Sequence, residues 1–84
     1  GIQMSELLSK KRHKQLAFPR QIAMYLCRHL TDASYPQIGD QFGGRDHTTV
    51  LHAYDKIEKQ LQEDNELSMS IKELSRKIDP NYTA

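Results

Sequence analysis

Side chains that could do chemistry are concentrated in two stretches of this 84-residue sequence, of which the first is basic. Six lysines and arginines lie between Leu7 and Thr31, with no aspartate or glutamate among them, although the net charge of the whole chain is only +1. A local positive field of this kind favours a polyanion as partner over an acidic small molecule. The alternative is a solvated face that happens to be basic, and charge alone does not decide between the two.

The second stretch runs from Arg45 to His52 and combines an aspartate, histidines and threonines. Asp46 and His47 have no activated nucleophile beside them, and paired carboxylates are not evident, so the sequence predicts neither a catalytic site nor an enzyme. His47 and His52 do not have the i, i+4 spacing of a helical metal site, and the single cysteine, Cys27, has no partner ligand at a known spacing. No metal site is therefore predicted. Taken alone, Asp46 is most simply a helix cap and His47 a surface or core histidine.

Composition limits the class of protein. Leu, Ile, Val and Phe make up 18 of the 84 residues, which together with the low net charge predicts one small domain over residues 1–84. One cysteine excludes an internal disulfide framework. The longest mainly apolar stretch, from Ile22 to Cys27, is too short to cross a bilayer, and no signal peptide is visible. We expect a reduced, cytoplasmic domain without membrane contact.

Helices are predicted throughout, because a single valine and no alternating apolar run leave no candidate strand. We expect a short helix and a basic loop over 5–17, with the loop from Lys10 to Ala17. A helix over 19–31 follows, with Pro19 in its first turn. A helix-turn-helix is predicted over 34–62 and a C-terminal helix over 65–79.

Start and stop signals support the helix-turn-helix. Ser34 and Gln37 have the spacing of a capping box, and Asp46 is placed to cap the next helix. Gly43-Gly44 permits the positive φ of a tight turn. Apolar stripes predict the inward faces of the last two helices, which we expect to form an antiparallel pair: Val50, Tyr54, Ile57 and Leu61 on one, and Leu67, Ile71, Leu74 and Ile78 on the other.

One motif is far more specific than these patterns. It runs Ile38-Gly39-Asp40-Gln41-Phe42-Gly43-Gly44-Arg45-Asp46-His47-Thr48-Thr49-Val50-Leu51-His52-Ala53. This motif resembles, almost letter for letter, the signature of the C-terminal DNA-binding domain (domain IV) of DnaA, the bacterial chromosomal replication initiator. The resemblance covers roughly residues 5–61, including the basic loop and the stretch from Phe18 to Leu26.

The resemblance implies a small all-α domain of about five helices with a TrpR-like helix-turn-helix. It also implies recognition of DnaA boxes, asymmetric double-stranded sites similar to TTATNCACA, with a helix in the major groove and an arginine of the basic loop in the minor groove. Carried over by position, Arg12 is the minor-groove residue, or Lys11 if the loop register differs by one. Asp46, His47 and Thr48 face base edges, and Pro36 contacts a thymine methyl group. The positions that grip the sugar-phosphate backbone are Lys10, Lys14, Arg20, Gln21, Arg28, Tyr35, Arg45, Thr49, His52 and Lys56.

The chain departs from the family pattern at Tyr35, where leucine is usual, and this departure could alter the contact beside Pro36.

Whole DnaA proteins also carry an ATP-binding AAA+ domain, but this chain has no phosphate-binding loop, so ATP and other cofactors are not expected here. The sequence resembles a module of a longer protein. Because an asymmetric DNA target does not require a two-fold symmetric protein, we expect the isolated domain to be a monomer. The alternative function is contact with replication-regulatory proteins.

Overall fold

A computed structural model describes the backbone of residues 14–82 and the side chains of residues 17–82. This part of the chain contains four helices and no strand: α1 (Lys14–Leu30), α2 (Tyr35–Gln41), α3 (His47–Glu63) and α4 (Asn65–Ile78). The prediction of an all-α domain is confirmed. The short helix predicted between Ser5 and Ser9, which would be a fifth, lies outside the described residues.

The first helix starts earlier than the sequence pattern predicts. It begins at Lys14, so the loop predicted up to Ala17 is wrong from Lys14 onward, and Pro19 lies inside the helix instead of in its first turn. Apolar periodicity is missing here, but Lys, Gln, Leu and Ala all have high helix propensity. The proline removes one backbone hydrogen bond near the start of α1. Burial of Met24 and Tyr25 further along anchors the helix.

Both predicted caps of the helix-turn-helix are confirmed. At the start of α2, the Gln37 N–H donates to Ser34 Oγ (3.2 Å), and the Ser34 N–H donates to Gln37 Oε1 (2.8 Å). This reciprocal pair is a capping box. At the start of α3, the Thr48 N–H donates to Asp46 Oδ1 (3.1 Å). These local bonds satisfy amides that the first turn of a helix would otherwise leave without acceptors.

Two apolar clusters hold the helices together, and α1 and α3 contribute to both. The first joins α1, α2 and α3, so it fixes the helix-turn-helix against α1. The second joins α1, α3 and α4. The buried members are Met24, Ile38, Phe42, Val50 and Ala53 in the first cluster, and Tyr25, Leu26, Ile57 and Ile71 in the second.

The inward face of α4 differs from the predicted stripe. Ile71 is buried as expected, but Leu74 is 41% and Ile78 60% exposed, while Ser75 is fully buried. Ser75 follows Ile71 by four residues, so the two share one face of the helix. The hydroxyl of Ser75 donates to the Ile71 carbonyl (2.8 Å), which satisfies the polar group in its apolar surroundings. None of the helices in the described part of the chain has the length and hydropathy needed to span a bilayer.

Candidate nucleic-acid interface

A close backbone contact across the helix-turn-helix sets the position of the α3 N-terminus. The Arg45 N–H donates to the Gly39 carbonyl (2.8 Å), and the two glycines of the turn adopt positive φ, 82° at Gly43 and 74° at Gly44. Gly39 is buried within α2, and a Cβ there would overlap the Arg45 carbonyl oxygen and lie 3.2 Å from its carbon. Glycine at this position therefore lets the segment that leads into α3 lie directly on α2.

The first turn of α3 is open to solvent. Asp46, His47, Thr48 and Thr49 are all exposed, and Val50 is the first residue of the helix to be buried. The turn contains no acidic residue after the cap. A helix N-terminus has a partial positive charge, which here faces the Asp46 cap and no further acid within the first turn.

Asp46 has two contacts through the same carboxylate oxygen. Its Oδ1 accepts the Thr48 N–H and lies 3.0 Å from His47 Nδ1. The hydrogen bond from the Thr48 backbone lowers the pKa of Asp46 below its ordinary value, with further contributions from the Thr48 side chain and from His47. The carboxylate is therefore charged at neutral pH. Both side chains are exposed, so the pair orients the two groups more than it stabilises the fold.

Further along α3, exposed polar residues lie opposite the buried face. Thr48, His52 and Lys56 follow one another at intervals of four residues and are all exposed, whereas Ala53 and Ile57 are buried. This spacing puts the three side chains in a row along the outer surface. The row continues from the open first turn, so the helix has one buried and one polar, accessible side.

The second helix contributes two of the predicted residues. Pro36 lies in the first turn of α2 and is exposed, and Tyr35 before it is half-buried. The Arg28 guanidinium carbon lies 4.7 Å from the centre of the Tyr35 ring, and Arg28 Nη1 donates to the Ala33 carbonyl (3.0 Å). These contacts bring the end of α1 beside the start of α2.

Not every predicted phosphate-contacting residue is equally accessible. Arg20 is buried, with 5% of its surface exposed, and Arg45 is half-buried. Gln21 is also half-buried, and its Oε1 has no hydrogen-bond partner among the described residues. Arg20 therefore presents the least surface among those predicted residues whose side chains are described, and its contact with DNA stays a prediction.

Three of the predicted DNA-contacting residues have side chains outside the described part of the structure. Lys10 and Arg12 lie outside the described residues, and Lys14 is described only as the first residue of α1. The alternative minor-groove residue, Lys11, also lies outside them. The minor-groove assignment thus stays a prediction from the resemblance.

Sequence reasoning missed the role of Gly39. Gly39 is an isolated glycine within a helical pattern, where glycine lowers helix stability, and this cost could have indicated a packing reason for it. It also missed the contact between Arg28 and Tyr35, for which the sequence contains no local signal.

Comparison with known proteins identifies the family. Residues 1–57 match the family model described as "Bacterial dnaA protein helix-turn-helix". The chain belongs to this family. It is also 57% identical over 75 residues to the chromosomal replication initiator protein DnaA of Lactobacillus helveticus (strain DPC 4571). That alignment covers 89% of the chain but only 16% of the relative's length.

Membership of the DnaA helix-turn-helix family makes the chain a DNA-binding domain and not a catalytic one. The match includes all of α2 and the first part of α3, where the exposed polar residues lie, and it ends before α4. Among the described residues, no group of three or more His, Cys, Asp or Glu side chains could hold a metal ion.

Proposed function

We propose that this domain binds double-stranded DNA sequence-specifically, at DnaA boxes similar to TTATNCACA. The observation that carries the proposal is the contrast along α3: the residues of its first turn before Val50 are exposed, whereas Val50 and Ile57 are 0% exposed. The helix is anchored by its apolar face while its N-terminus is free to enter the major groove. This is the docking geometry of helix-turn-helix proteins.

Asp46, His47 and Thr48 each have a distinct role in base recognition. The Asp46 carboxylate accepts hydrogen bonds only and reads an amino group of cytosine or adenine. His47, whose Nδ1 is held by Asp46, reads a base edge through Nε2. Thr48 offers its methyl group to a thymine, and Pro36 makes a similar apolar contact from α2.

The remaining contacts fix the domain on the duplex without reading sequence. Arg12 enters the adjacent minor groove, where narrow A/T-rich segments concentrate negative potential and attract arginine. The phosphates of the backbone are held by a larger set of cationic and polar side chains: Lys10, Lys14, Arg20, Gln21, Arg28, Tyr35, Arg45, Thr49, His52 and Lys56.

In the cell, we propose that this recognition serves initiation of chromosomal replication at the bacterial origin, in the cytoplasm and on the nucleoid. The relative that supports this role is named as a replication initiator, and the chain spans 16% of its length. Because the target is asymmetric, one copy of the domain per box is sufficient, and no cofactor is required for binding.

Fluorescence anisotropy with a labelled box and a scrambled duplex tests the proposal. We expect tighter binding to the box and, for about six neutralised phosphates, a slope of log K against log[salt] near −5. His47→Ala should lose about 1–3 kcal/mol on the box, and Arg12→Ala a similar amount. Asn65→Ala, at the first residue of α4, is the matched control for His47→Ala and should bind as the wild type. Equal affinity for both duplexes, or a flat salt dependence, would overturn the proposal.

A second candidate function, contact with replication-regulatory proteins, is favoured by the exposed apolar side chains of α4. Met69 is 68% exposed and Ile78 60% exposed. Partner binding that survives excess competitor DNA, and that maps away from residues 10–20 and 45–49, would support it. Partner binding abolished by box DNA would contradict it.

A further inference from the structure

Arg28, near the end of α1, is held in place by contacts within the domain. The Arg28 guanidinium lies over the Tyr35 ring at 4.7 Å, which is within the range of a cation–π contact. The same guanidinium donates from Nη1 to the Ala33 carbonyl (3.0 Å). The Ala33 N–H in turn donates to Thr31 Oγ1 (3.1 Å), so the loop that supplies the acceptor is itself hydrogen-bonded.

The aromatic ring beneath Arg28 is also fixed. Tyr35 packs edge-on against Tyr54 of α3, with 6.3 Å between ring centres, and Tyr54 stacks on Tyr25 of α1 at 4.9 Å. Tyr25 is buried, and desolvation together with the nearby Tyr54 and Glu58 raises its pKa to about 12. The stack therefore extends from the core of the domain to the exposed Arg28.

We propose that Tyr35 is a positioning residue, which holds the Arg28 guanidinium ready to bind a phosphate of the DNA backbone. This inference rests on the proposed function, since it assigns a DNA contact to Arg28. A cation–π contact uses the charge and the face of the Arg28 guanidinium. The Ala33 carbonyl accepts a hydrogen bond from one of the five N–H donors of that guanidinium. The remaining donors are left for phosphate oxygens, with which arginine forms strong charge-assisted hydrogen bonds.

Positioning matters because a free arginine has many rotamers, and ordering it on binding lowers affinity. Tyr35 removes much of that freedom in the unbound domain. A leucine at position 35 would offer no π-face to a cation. A phosphate contact carries no sequence information, so loss of the positioning should weaken binding to every duplex by a similar factor.

The test is a double-mutant cycle on the folded domain, measured by anisotropy with a box and with a scrambled duplex. We expect Tyr35→Leu to weaken binding to both duplexes by about three- to tenfold, and Tyr35→Phe, which keeps the ring and loses only the hydroxyl, to weaken it less. Arg28→Gln should reduce the salt slope by about 1. In the Arg28→Gln background, Tyr35→Leu and Tyr35→Phe should bind alike. A difference between Tyr35→Leu and Tyr35→Phe that is equally large in both backgrounds would overturn the inference.

A second readout needs no DNA. In the free wild-type protein, the Arg28 Hδ protons should show an upfield ring-current shift by NMR, which Tyr35→Phe keeps and Tyr35→Leu removes. Absence of this shift in the wild type would overturn the inference. If Tyr35→Leu does not fold, the NMR shift alone provides the test: its presence in the wild type and in Tyr35→Phe supports the inference, and its loss in Tyr35→Phe would overturn it.

These outcomes also separate the inference from the proposed function. A wild-type domain that binds neither duplex contradicts the proposed function itself. A wild-type domain that prefers the box, in a cycle where Tyr35 and Arg28 act independently, contradicts only the positioning role.

Discussion

Helices α3 and α4 both begin with an aspartate cap, but the two helix starts have different roles. Asp46 accepts an N–H from two residues on and Asp64 from three residues on, both at 3.1 Å. In α4, the first turn carries Glu66, and Leu67 packs into the second apolar cluster. In α3, the first turn has no acid after the cap and no apolar residue before Val50. One capping chemistry therefore serves an α4 start that packs on the core through Leu67 and an α3 start whose first three residues are all exposed.

The two helix starts also depend on different parts of the molecule. Asp64 ends α3 and caps α4, so the position of α4 follows directly from the helix before it. The start of α3 instead lies on α2, through the hydrogen bond from Arg45 to Gly39. The start of α4 is thus defined by the residues next to it in the sequence. The start of α3, which we propose binds DNA, instead requires a contact between two helices.

The largest expected effect is the loss of that contact. Gly39→Ala places a Cβ against the Arg45 backbone carbonyl, and backbone cannot move aside cheaply. We expect a loss of about 3 kcal/mol or more in the free energy of unfolding, measured by urea denaturation. Gly44→Ala is the matched control: its Cβ would meet nothing within 4 Å, so only the positive φ of 74° costs energy, about 1–2 kcal/mol. Equal losses would show that the close approach does not matter.

The second expected effect separates capping from recognition. Asp46→Ala and Asp64→Ala should each lower the free energy of unfolding by about 1 kcal/mol, because each removes one N-cap. On a DnaA box, Asp46→Ala should lose a further 1–3 kcal/mol or so of binding free energy, and Asp64→Ala none. Anisotropy titrations at equal fractions of folded protein measure the difference. If both variants bind the box alike, Asp46 is a cap only.

A smaller effect is expected at the exposed lysines of the two helices. Lys56→Ala on α3 should weaken binding to box and scrambled duplex equally and reduce the salt slope by about 1. Lys72→Ala on α4 removes the same charge from the other helix and should change neither quantity. A reduced slope in both variants would mean that charge anywhere on the domain contributes, and that the row along α3 is not special.

The smallest effect concerns pH. The pKa of Asp46 is lower in the folded than in the unfolded state, so its contribution to stability is present above the unfolded pKa, near 3.9. It is lost as the pH falls through the lower folded value. Asp46→Asn keeps a good cap but does not titrate, so its stability should fall less steeply below pH 4 in thermal melts. An identical decline in both proteins would contradict this.

Short-range patterns predicted much of the fold and of the candidate site. The Ser34–Gln37 capping box, the Asp46 cap and the Gly43-Gly44 turn all appear where the spacing predicted them. Each acts over a few residues, so the sequence nearby is sufficient to specify it. The start of α1 was mispredicted because the apolar pattern and helix propensity disagree there, and only the latter indicates a helix.

Which residues meet across the fold was less predictable. The exposure of Leu74 and Ile78, the burial of Ser75 and Arg20, and the contact of Arg28 with Tyr35 all depend on packing. A stripe of apolar residues indicates that a helix has an inward face, but its rotation is set by the partner helices. No spacing within one helix carries that information.

The sequence by itself determined the order of the four described helices, the caps of α2 and α3 and the residues presented at the start of α3, because these follow from local hydrogen bonds and side-chain type. The tertiary structure alone decided that the Arg45 backbone leaves no room for a side chain at position 39 and that Tyr35 lies beneath Arg28. Those contacts join segments from different helices, and their geometry exists only once the apolar faces of α1, α2 and α3 have packed together.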